Sequence, residues 1–285
     1  MKDKKFIQVA AHMGNLTLAD GTKLPHNTMI SYESAYDVGA DMIEMDLHMT
    51  RDGQIVMIHD TTLDRTTDTS GLIADMTLAE VKKADAGIKF GEQFRGARVP
   101  EFSEFLELTK RDDKMLFNFE FKDYFKSKVF DDPANDFAKR CADKILSMVE
   151  EYGLGDRCVV NSFDGMLLRY IEQKYDGRYK LHGFYPYQIN GFDPARPDSR
   201  PDKLYCACLF NRSYTADGKS VAGDGPVNPK SDFDAVIKDG VKPWVGAGVV
   251  TKEQFALCGE YGAELATSND PAAAMRYLCE LGYRG

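Results

Sequence analysis

Residues 42–49 alternate between polar and apolar side chains along most of their length. Three polar residues share one parity and four apolar residues share the other: Glu44, Asp46 and His48, against Ile43, Met45, Leu47 and Met49. Because successive side chains of a strand point to opposite faces, the pattern predicts a β-strand with two carboxylates on one side. A turn at 51–53 and a second apolar strand that ends in His59 follow it.

The alternation in 42–49 has two explanations. It is typical of an antiparallel strand whose polar face is exposed to water. Alternatively, both carboxylates face a protected pocket, where two negative charges at close range disfavour joint ionisation unless a cation holds them. These residues by themselves leave both explanations open.

Strand and helix patterns alternate along the rest of the chain, which predicts a parallel sheet. Strands are predicted at 6–11, at two places within 42–59, and at 115–122, 158–162, 179–185, 204–210, 241–246 and 263–267. Helices are predicted at 28–38, 100–110, 136–152, 164–174, 251–261 and 271–281. Nine strands for the eight places of a barrel imply that one strand lies outside it.

The chain length of 285 residues fits one (β/α)8 TIM-type barrel, an α/β fold that needs ~250 residues. We therefore predict a single domain over 1–285. The range 60–100 is too long for a loop between barrel elements and is predicted to form a small inserted subdomain, in which Thr77 and Glu80 have the spacing of a capping box. The range 185–230 holds six of the eleven prolines and is predicted to be a long insertion and candidate lid.

The amino-acid composition narrows the range of possible functions. Hydrophobic residues make up 43% and charged residues 28%, which is typical of a globular protein, and the net charge of -9 argues against a nucleic-acid partner. The apolar run near the N-terminus is too short for a signal peptide or a membrane span. The six cysteines show no C-x-x-C pair, and Cys206 and Cys208 are expected to pack rather than bind zinc. We expect a cytoplasmic protein without integral membrane association.

Five polar residues occupy equivalent positions in the predicted strands. His12, Asp46, His59, Glu120 and Ser162 each lie at or near the C-terminal end of a separate predicted strand. In a parallel barrel those ends meet at one rim, where the catalytic groups of this architecture lie. In such a barrel both faces of each strand are buried. A water-exposed polar face is therefore the weaker explanation of the alternation in 42–49.

The residue types at this rim favour phosphoryl chemistry. Glu44, Asp46 and Glu120 offer only oxygen ligands, which suit Mg²⁺ or Ca²⁺. His12 and His59 are then free for proton transfer near neutral pH, while a lysine two residues after Glu120 adds positive charge for an anion. Alternatively both histidines bind zinc, as in barrel amidohydrolases, but those commonly open with His-x-His and this chain does not.

A set of motifs then resembles one family. They are His12-Met13-Gly14, Pro25-His26-Asn27-Thr28, residues 39–46, residues 50–53, His59-Asp60, residues 63–67, residues 77–80, Phe119-Glu120-Phe121-Lys122, Ser162-Phe163 and residues 267–271. In this order they resemble glycerophosphodiester phosphodiesterases, over nearly the whole chain except 185–230. The resemblance implies a TIM-type barrel with an inserted subdomain and hydrolysis of a small-molecule phosphodiester.

The resemblance also implies site roles. One divalent cation, Ca²⁺ or Mg²⁺, would lie on the three carboxylates, with His12 and His59 as the acid and base pair. Lys122 is expected near the phosphate, and Trp244, the single tryptophan, is assigned with it to substrate or phosphate binding.

Two positions depart from the family pattern, which usually has His-Arg-Gly and Pro-Glu-Asn-Thr. Met13 stands where the arginine is usual and His26 where the glutamate is usual. Loss of the arginine removes a forked phosphate donor, a charge-assisted contact worth about 1.5 to 3 kcal/mol. A non-catalytic phosphodiester-binding barrel is therefore one alternative to the hydrolase.

The His-Met opening supplies another alternative, because it is similar to that of toxins that cleave sphingomyelin-type lipids. Such a lipid phosphodiesterase, of the sphingomyelinase D or phospholipase D type, would release a cyclic phosphate. Those proteins generally lack both the Pro-x-Asn-Thr motif and the long inserted subdomain that this chain has. The sequence therefore favours the hydrolase.

Overall fold

A computed structural model describes residues 6–193, 195–215 and 218–285. Residues 1–5, 194, 216 and 217, which the predicted bounds 1–285 and 185–230 include, lie outside the described residues. The strands found in the described ranges are β1 (Gln8–Ala11), β2 (Met42–Met49), β3 (Ile55–Met57), β4 (Leu116–Phe121), β5 (Cys158–Asn161), β6 (Lys180–Tyr185), β7 (Cys206–Leu209), β8 (Arg212–Tyr214), β9 (Ser220–Ala222), β10 (Lys242–Val245) and β11 (Leu265–Ser268).

The helices of the same ranges follow the strands in regular alternation. They are α1 (Met29–Asp37), α2 (Leu78–Val81), α3 (Phe102–Leu108), α4 (Asp136–Glu151), α5 (Gly165–Lys174), α6 (Lys230–Lys238), α7 (Lys252–Tyr261) and α8 (Pro271–Glu280). The connection from β6 to β7 instead contains the 3₁₀ turns Tyr187–Asn190 and Pro197–Ser199. Among the described residues, we find no helix with both the length and the apolar character needed to cross a bilayer.

Eight strands of the described chain form a closed parallel sheet. Its order is β1-β11-β10-β7-β6-β5-β4-β2, and β1 pairs with β2 to close the ring. In the closing pair Ala10 lies opposite Met42, and Ala11 lies opposite Ile43. This arrangement confirms the predicted (β/α)8 TIM-type barrel.

The strand outside the barrel is β3, which pairs antiparallel with β2 and places Met57 opposite Leu47. Strand β7, in contrast, is a barrel strand between β6 and β10. The prediction of one insertion over 185–230 is therefore corrected to two connections separated by β7, because the short apolar run Cys206–Leu209 pairs on both sides. A role as a lid stays a prediction. The second connection carries the antiparallel hairpin β8–β9.

Both faces of the barrel strands are buried, including every residue of β2. Side chains of one parity pack outward against helices: the ring of Phe117 lies 5.6 Å from that of Phe105, and the ring of Phe119 lies 5.4 Å from that of Phe102. The other parity faces the barrel interior. The water-exposed explanation of the alternation in 42–49 is therefore excluded.

The range 60–100 forms a compact insertion after β3. Its helix α2 begins with the predicted capping box, in which Thr77 and Glu80 each bond the other's backbone N–H. The insertion packs against the β3 segment in a small apolar cluster: Val56, Ile58, Leu63, Ile73, Val81, Ala84, Ala86 and Val99. The description of 60–100 as a subdomain stays a prediction.

A matched pair of leucines tests the packing between barrel and helices. Leu106 in α3 is fully buried, whereas Leu257 in α7 is 41% exposed. We expect Leu106→Ala to lower the free energy of unfolding by about 2–5 kcal/mol, since it leaves a cavity in the largest apolar cluster. Leu257→Ala, which has the same change in helix propensity, should stay within about 0.5 kcal/mol of the parent. Urea denaturation measures both, and equal losses would contradict this packing.

Candidate active site

The predicted polar residues converge at the C-terminal ends of the barrel strands. Glu44 and Asp46 lie in β2 and Glu120 lies in β4, opposite Asp46 in the parallel register. One carboxylate oxygen of each residue lies within 4.8 Å of those of the other two, and all three residues are buried. The structure thus brings together the three carboxylates that the sequence selected.

Each carboxylate is held by a donor from a different segment. Oε2 of Glu44 accepts from the backbone N–H of Met13 at 2.8 Å. Oε1 of Glu120 accepts from Nζ of Lys122 at 2.8 Å, and its Oε2 accepts from the amide of Asn161 at 3.1 Å. Oδ1 of Asp46 lies 3.5 Å from Nζ of Lys122 and has no hydrogen-bond partner among the described residues. One carboxylate oxygen is therefore left for a ligand.

Asn27 holds the other oxygen of Asp46. Its amide nitrogen donates to Oδ2 of Asp46 at 2.8 Å, while its Oδ1 accepts from the hydroxyl of Tyr32 at 2.7 Å and from the backbone N–H of Asp46 at 3.2 Å. Asn27 is buried and has a φ of 50°. In the sequence, Asn27 is marked only by its place within Pro-His-Asn-Thr. Its neighbour Thr28 caps α1.

Burial dominates the electrostatics of this cluster. Desolvation raises the pKa of Glu44 well above its usual value, and the nearby charges of Asp46 and Glu120 raise it further. Desolvation also raises the pKa of Glu120, against the effect of Lys122. For Asp46, desolvation is outweighed by Lys122, the histidines and Asn27, so its pKa is lowered. Concentrated negative charge of this kind favours a bound cation.

Both predicted catalytic histidines lie at this rim with one ring nitrogen anchored. Nδ1 of His12 lies 2.7 Å from Oδ1 of Asn269, and Nδ1 of His59 lies 2.7 Å from Oδ1 of Asp60. Because both oxygens only accept hydrogen bonds, each Nδ1 carries the proton and each Nε2 is the basic nitrogen. Burial lowers the pKa of His12, so its imidazole is neutral at neutral pH.

Lys122 connects the carboxylates to His59. Its Nζ lies 3.4 Å from Nε2 of His59, in addition to its bond to Glu120. The acids beside it outweigh desolvation and raise its pKa, so the side chain stays protonated. Arg65 in turn binds Asp60 through Nε at 2.6 Å and Nη2 at 2.9 Å, which fixes the carboxylate that orients His59.

A cavity of about 520 Å³ opens beside these groups, and His12, Glu44, His59 and Glu120 line it. Phe163, Phe184, Phe210 and Arg212 also line it. Phe163 belongs to the Ser162-Phe163 motif, whereas Phe184 in β6, Phe210 and Arg212 belong to no motif of the sequence and carried no signal there.

Two other predicted positions fall outside this site. Trp244 is fully buried in the barrel interior, where its ring stacks on His182 at 4.2 Å and its Nε1 donates to Thr267 at 2.8 Å. It has no exposed surface for a substrate, which corrects its assignment to substrate binding. Ser162 donates to the carbonyl of Phe121 at 3.0 Å and joins two strand ends, while the preceding residue, Asn161, reaches the carboxylates.

The structure shows where the two residues that depart from the family pattern, Met13 and His26, are located. Met13 is buried with a φ of 54°, and its backbone N–H supplies the bond to Glu44. The ring of His26 packs 4.7 Å from that of Phe90, and its Nδ1 has no partner among the described residues. Burial, followed by the charge of Arg65, lowers the pKa of His26 to about 4, so this imidazole is neutral.

Two substitutions separate the contribution of the Asn27 side-chain amide from that of its backbone conformation. We expect Asn27→Ala to lower the free energy of unfolding by about 1–3 kcal/mol, because Asp46 and Tyr32 lose buried partners. Asn27→Gly lacks the same amide but tolerates the positive φ, so it should be less destabilised by roughly 1 kcal/mol. Urea denaturation in chelator measures both without a contribution from any cation. Two variants as stable as the parent would show that the amide contributes nothing.

Comparisons with known proteins found relatives of this chain. The sequence profile of the Glycerophosphoryl diester phosphodiesterase family matches residues 19–219. A glycerophosphodiester phosphodiesterase of Caldanaerobacter subterraneus subsp. tengcongensis is 39% identical over 165 residues, which span 58% of this chain and 61% of that relative.

Solved structures share the fold. That of a glycerophosphodiester phosphodiesterase from Agrobacterium tumefaciens has a TM-score of 0.69 at 20% identity, covering 94% of this chain and 98% of the other. That of an Oleispira antarctica phosphodiesterase in complex with the product sn-glycerol-3-phosphate has a TM-score of 0.71 at 18% identity, covering 96% and 97%. Because the family profile spans well over half of its residues, the chain belongs to the glycerophosphoryl diester phosphodiesterase family.

Proposed function

We propose that the protein is a metal-dependent hydrolase that converts glycerophosphodiesters to glycerol phosphate and an alcohol. One observation carries this proposal: three buried carboxylates lie close together, and two of them line one cavity with two anchored imidazoles. The Caldanaerobacter relative is named for this activity, and the Oleispira enzyme was solved with glycerol 3-phosphate as its product. The family membership thus supports the same reaction.

The carboxylates of Glu44, Asp46 and Glu120 fit a divalent cation. They offer only oxygen donors within 4.8 Å of one another, and Oδ1 of Asp46 has no hydrogen-bond partner among the described residues. Ca²⁺ and Mg²⁺ prefer such ligands. When bound, the ion would polarise a phosphoryl oxygen and offset the charge of the buried acids.

The two histidines would divide the proton transfers of hydrolysis. His12 would act as the base, because burial lowers its pKa and so keeps the imidazole neutral, while its Nδ1 is bonded to a neutral amide. Its Nε2 would take a proton from water as the water oxygen bonds to phosphorus. His59, with its Nδ1 bonded to the carboxylate of Asp60, would act as the acid in its doubly protonated form, giving the proton on Nε2 to the leaving alcohol oxygen as the P–O bond breaks. Lys122 would stabilise the negative charge on the phosphoryl oxygens.

The metal requirement is the first test. Turnover of glycerophosphocholine should stop in chelator and return with Ca²⁺ or Mg²⁺. Asp46→Ala should weaken the affinity for Ca²⁺ measured by titration calorimetry at least tenfold, since it removes one of three anionic ligands. Glu33→Ala removes an exposed acid from α1 and serves as the matched control. Turnover that persists in chelator would contradict the proposed role of the ion.

The histidines are tested by rate and metal affinity together. His12→Ala and His59→Ala should each lower kcat about 10²–10⁴-fold, which is typical for loss of a general acid or base. Their affinity for Ca²⁺ should stay close to that of the parent, because neither imidazole is among the carboxylate ligands. Loss of metal binding in these variants would instead make the histidines ligands. Phosphorus NMR of the product distinguishes hydrolysis from release of a cyclic phosphate.

A further inference from the structure

The cavity beside the carboxylates has two chemically different halves. The polar half contains His12, Glu44, His59 and Glu120. The opposite half is walled by three phenylalanines, which we call the Phe cluster: Phe163, Phe184 and Phe210. Their ring centroids lie 3.8 Å apart for Phe163 and Phe184, 6.0 Å for Phe163 and Phe210, and 5.5 Å for Phe184 and Phe210. The three rings therefore form one continuous apolar wall.

Lys122 lies between the two halves. Its Nζ is 2.8 Å from Oε1 of Glu120 and 5.7 Å from the ring centroid of Phe163. A phosphate held beside Lys122 would thus direct one of its two ester groups toward the Phe cluster. Phenylalanine rings offer no hydrogen-bond partner, and buried hydroxyls left without partners are costly. The glycerol half of a diester is therefore the poorer match for this wall, and the other alcohol is the better one.

Arg212 is the charged residue that lines the cavity beyond the polar half. It lies at the start of β8, is exposed, and forms no ion pair with any described residue. The segment that carries it is held in place. The amide of Asn211 donates to the carbonyls of Asp224, Gly225 and Val227 at 3.0–3.1 Å, and the backbone N–H of Gly223 donates to the carbonyl of Asn211 at 2.7 Å. This network fixes the backbone next to Arg212, whose side chain lines the same cavity as the Phe cluster.

The charges around the wall disfavour a cationic ligand. The acids that line the cavity are Glu44 and Glu120, both assigned to the ion in the proposed function. Lys122 already lies over the face of Phe163, so a second cation at the Phe cluster would be repelled at short range. This repulsion opposes the attraction that aromatic faces otherwise have for a quaternary ammonium group.

We propose that the alcohol half of the substrate is apolar next to the phosphate and anionic at its far end, with the Phe cluster and Arg212 as its binding groups. This inference rests on the proposed function and narrows its substrate class. Glycerophosphodiesters of cationic alcohols such as choline are then poor substrates compared with those of neutral or anionic alcohols of the same shape.

Three glycerophosphodiesters of primary alcohols test the charge preference directly. The first carries choline, the second its neutral isostere with carbon in place of nitrogen, and the third that isostere with one methyl group replaced by a carboxylate. We expect kcat/KM to rise in this order, with about a tenfold difference between the first and third at low salt. The difference should shrink near 1 M salt, where the screening length falls to ~3 Å.

Substitutions then identify the residues that cause the charge preference. Arg212→Ala should reduce the advantage of the carboxylate over the neutral isostere to about twofold or less, whereas Arg212→Lys should retain most of it. Lys238→Ala, which removes an exposed cation at the end of α6, should leave the ratio unchanged. Phe210→Ala should lower kcat/KM for the neutral isostere by removing part of the wall.

The outcomes separate this inference from the proposed function. Efficient turnover with choline preferred, or with no dependence on charge, would overturn the substrate preference and leave the diesterase activity standing. A preference that survives Arg212→Ala would overturn the role of Arg212. Absence of turnover for all three diesters in the presence of Ca²⁺ or Mg²⁺ would overturn the proposed function and this inference with it.

Discussion

The central constraint in this structure is the burial of three carboxylates within 4.8 Å of one another. Burial and mutual repulsion both oppose their ionisation, and the raised pKa of Glu44 reflects that cost. Hydrogen bonds from Met13, Asn27, Asn161 and Lys122 offset part of it. These donors come from the loop after β1, the strand β5 and the end of β4, so much of the barrel rim is organised around the acids.

The same rim fixes the two imidazoles. Asn269, which follows β11, anchors His12, and Asp60 anchors His59 with the support of Arg65. The partners differ in charge: one is a neutral amide and the other a carboxylate. The two imidazoles therefore lie in different electrostatic surroundings, which is the asymmetry that a reaction with one proton acceptor and one proton donor needs.

Met13 shows how the scaffold tolerates a change in a family motif. The bond to Glu44 comes from the backbone N–H, so it does not depend on the side chain at this position. The turn itself depends on Gly14, because a Cβ there would lie 2.5 Å from Oγ of Ser31. Replacing the usual arginine therefore keeps the support of the acidic cluster and removes a forked phosphate donor. Within the described part of the chain, the cation that lies beside the carboxylates is Lys122.

The sequence by itself determined the barrel and most of the polar site. Period-two alternation separates the inward carboxylates of β2 and β4 from outward apolar residues such as Met45 and Phe119, and this separation is local. Tertiary structure decided the features that depend on strand pairing and on contacts between residues far apart in the sequence. Pairing placed β3 outside the barrel and β7 inside it, although both are short apolar runs. Barrel closure buried Trp244 and brought the Phe cluster and Arg212 to the cavity, because these residues come from separate segments that meet only when the strands and connections fold around one rim.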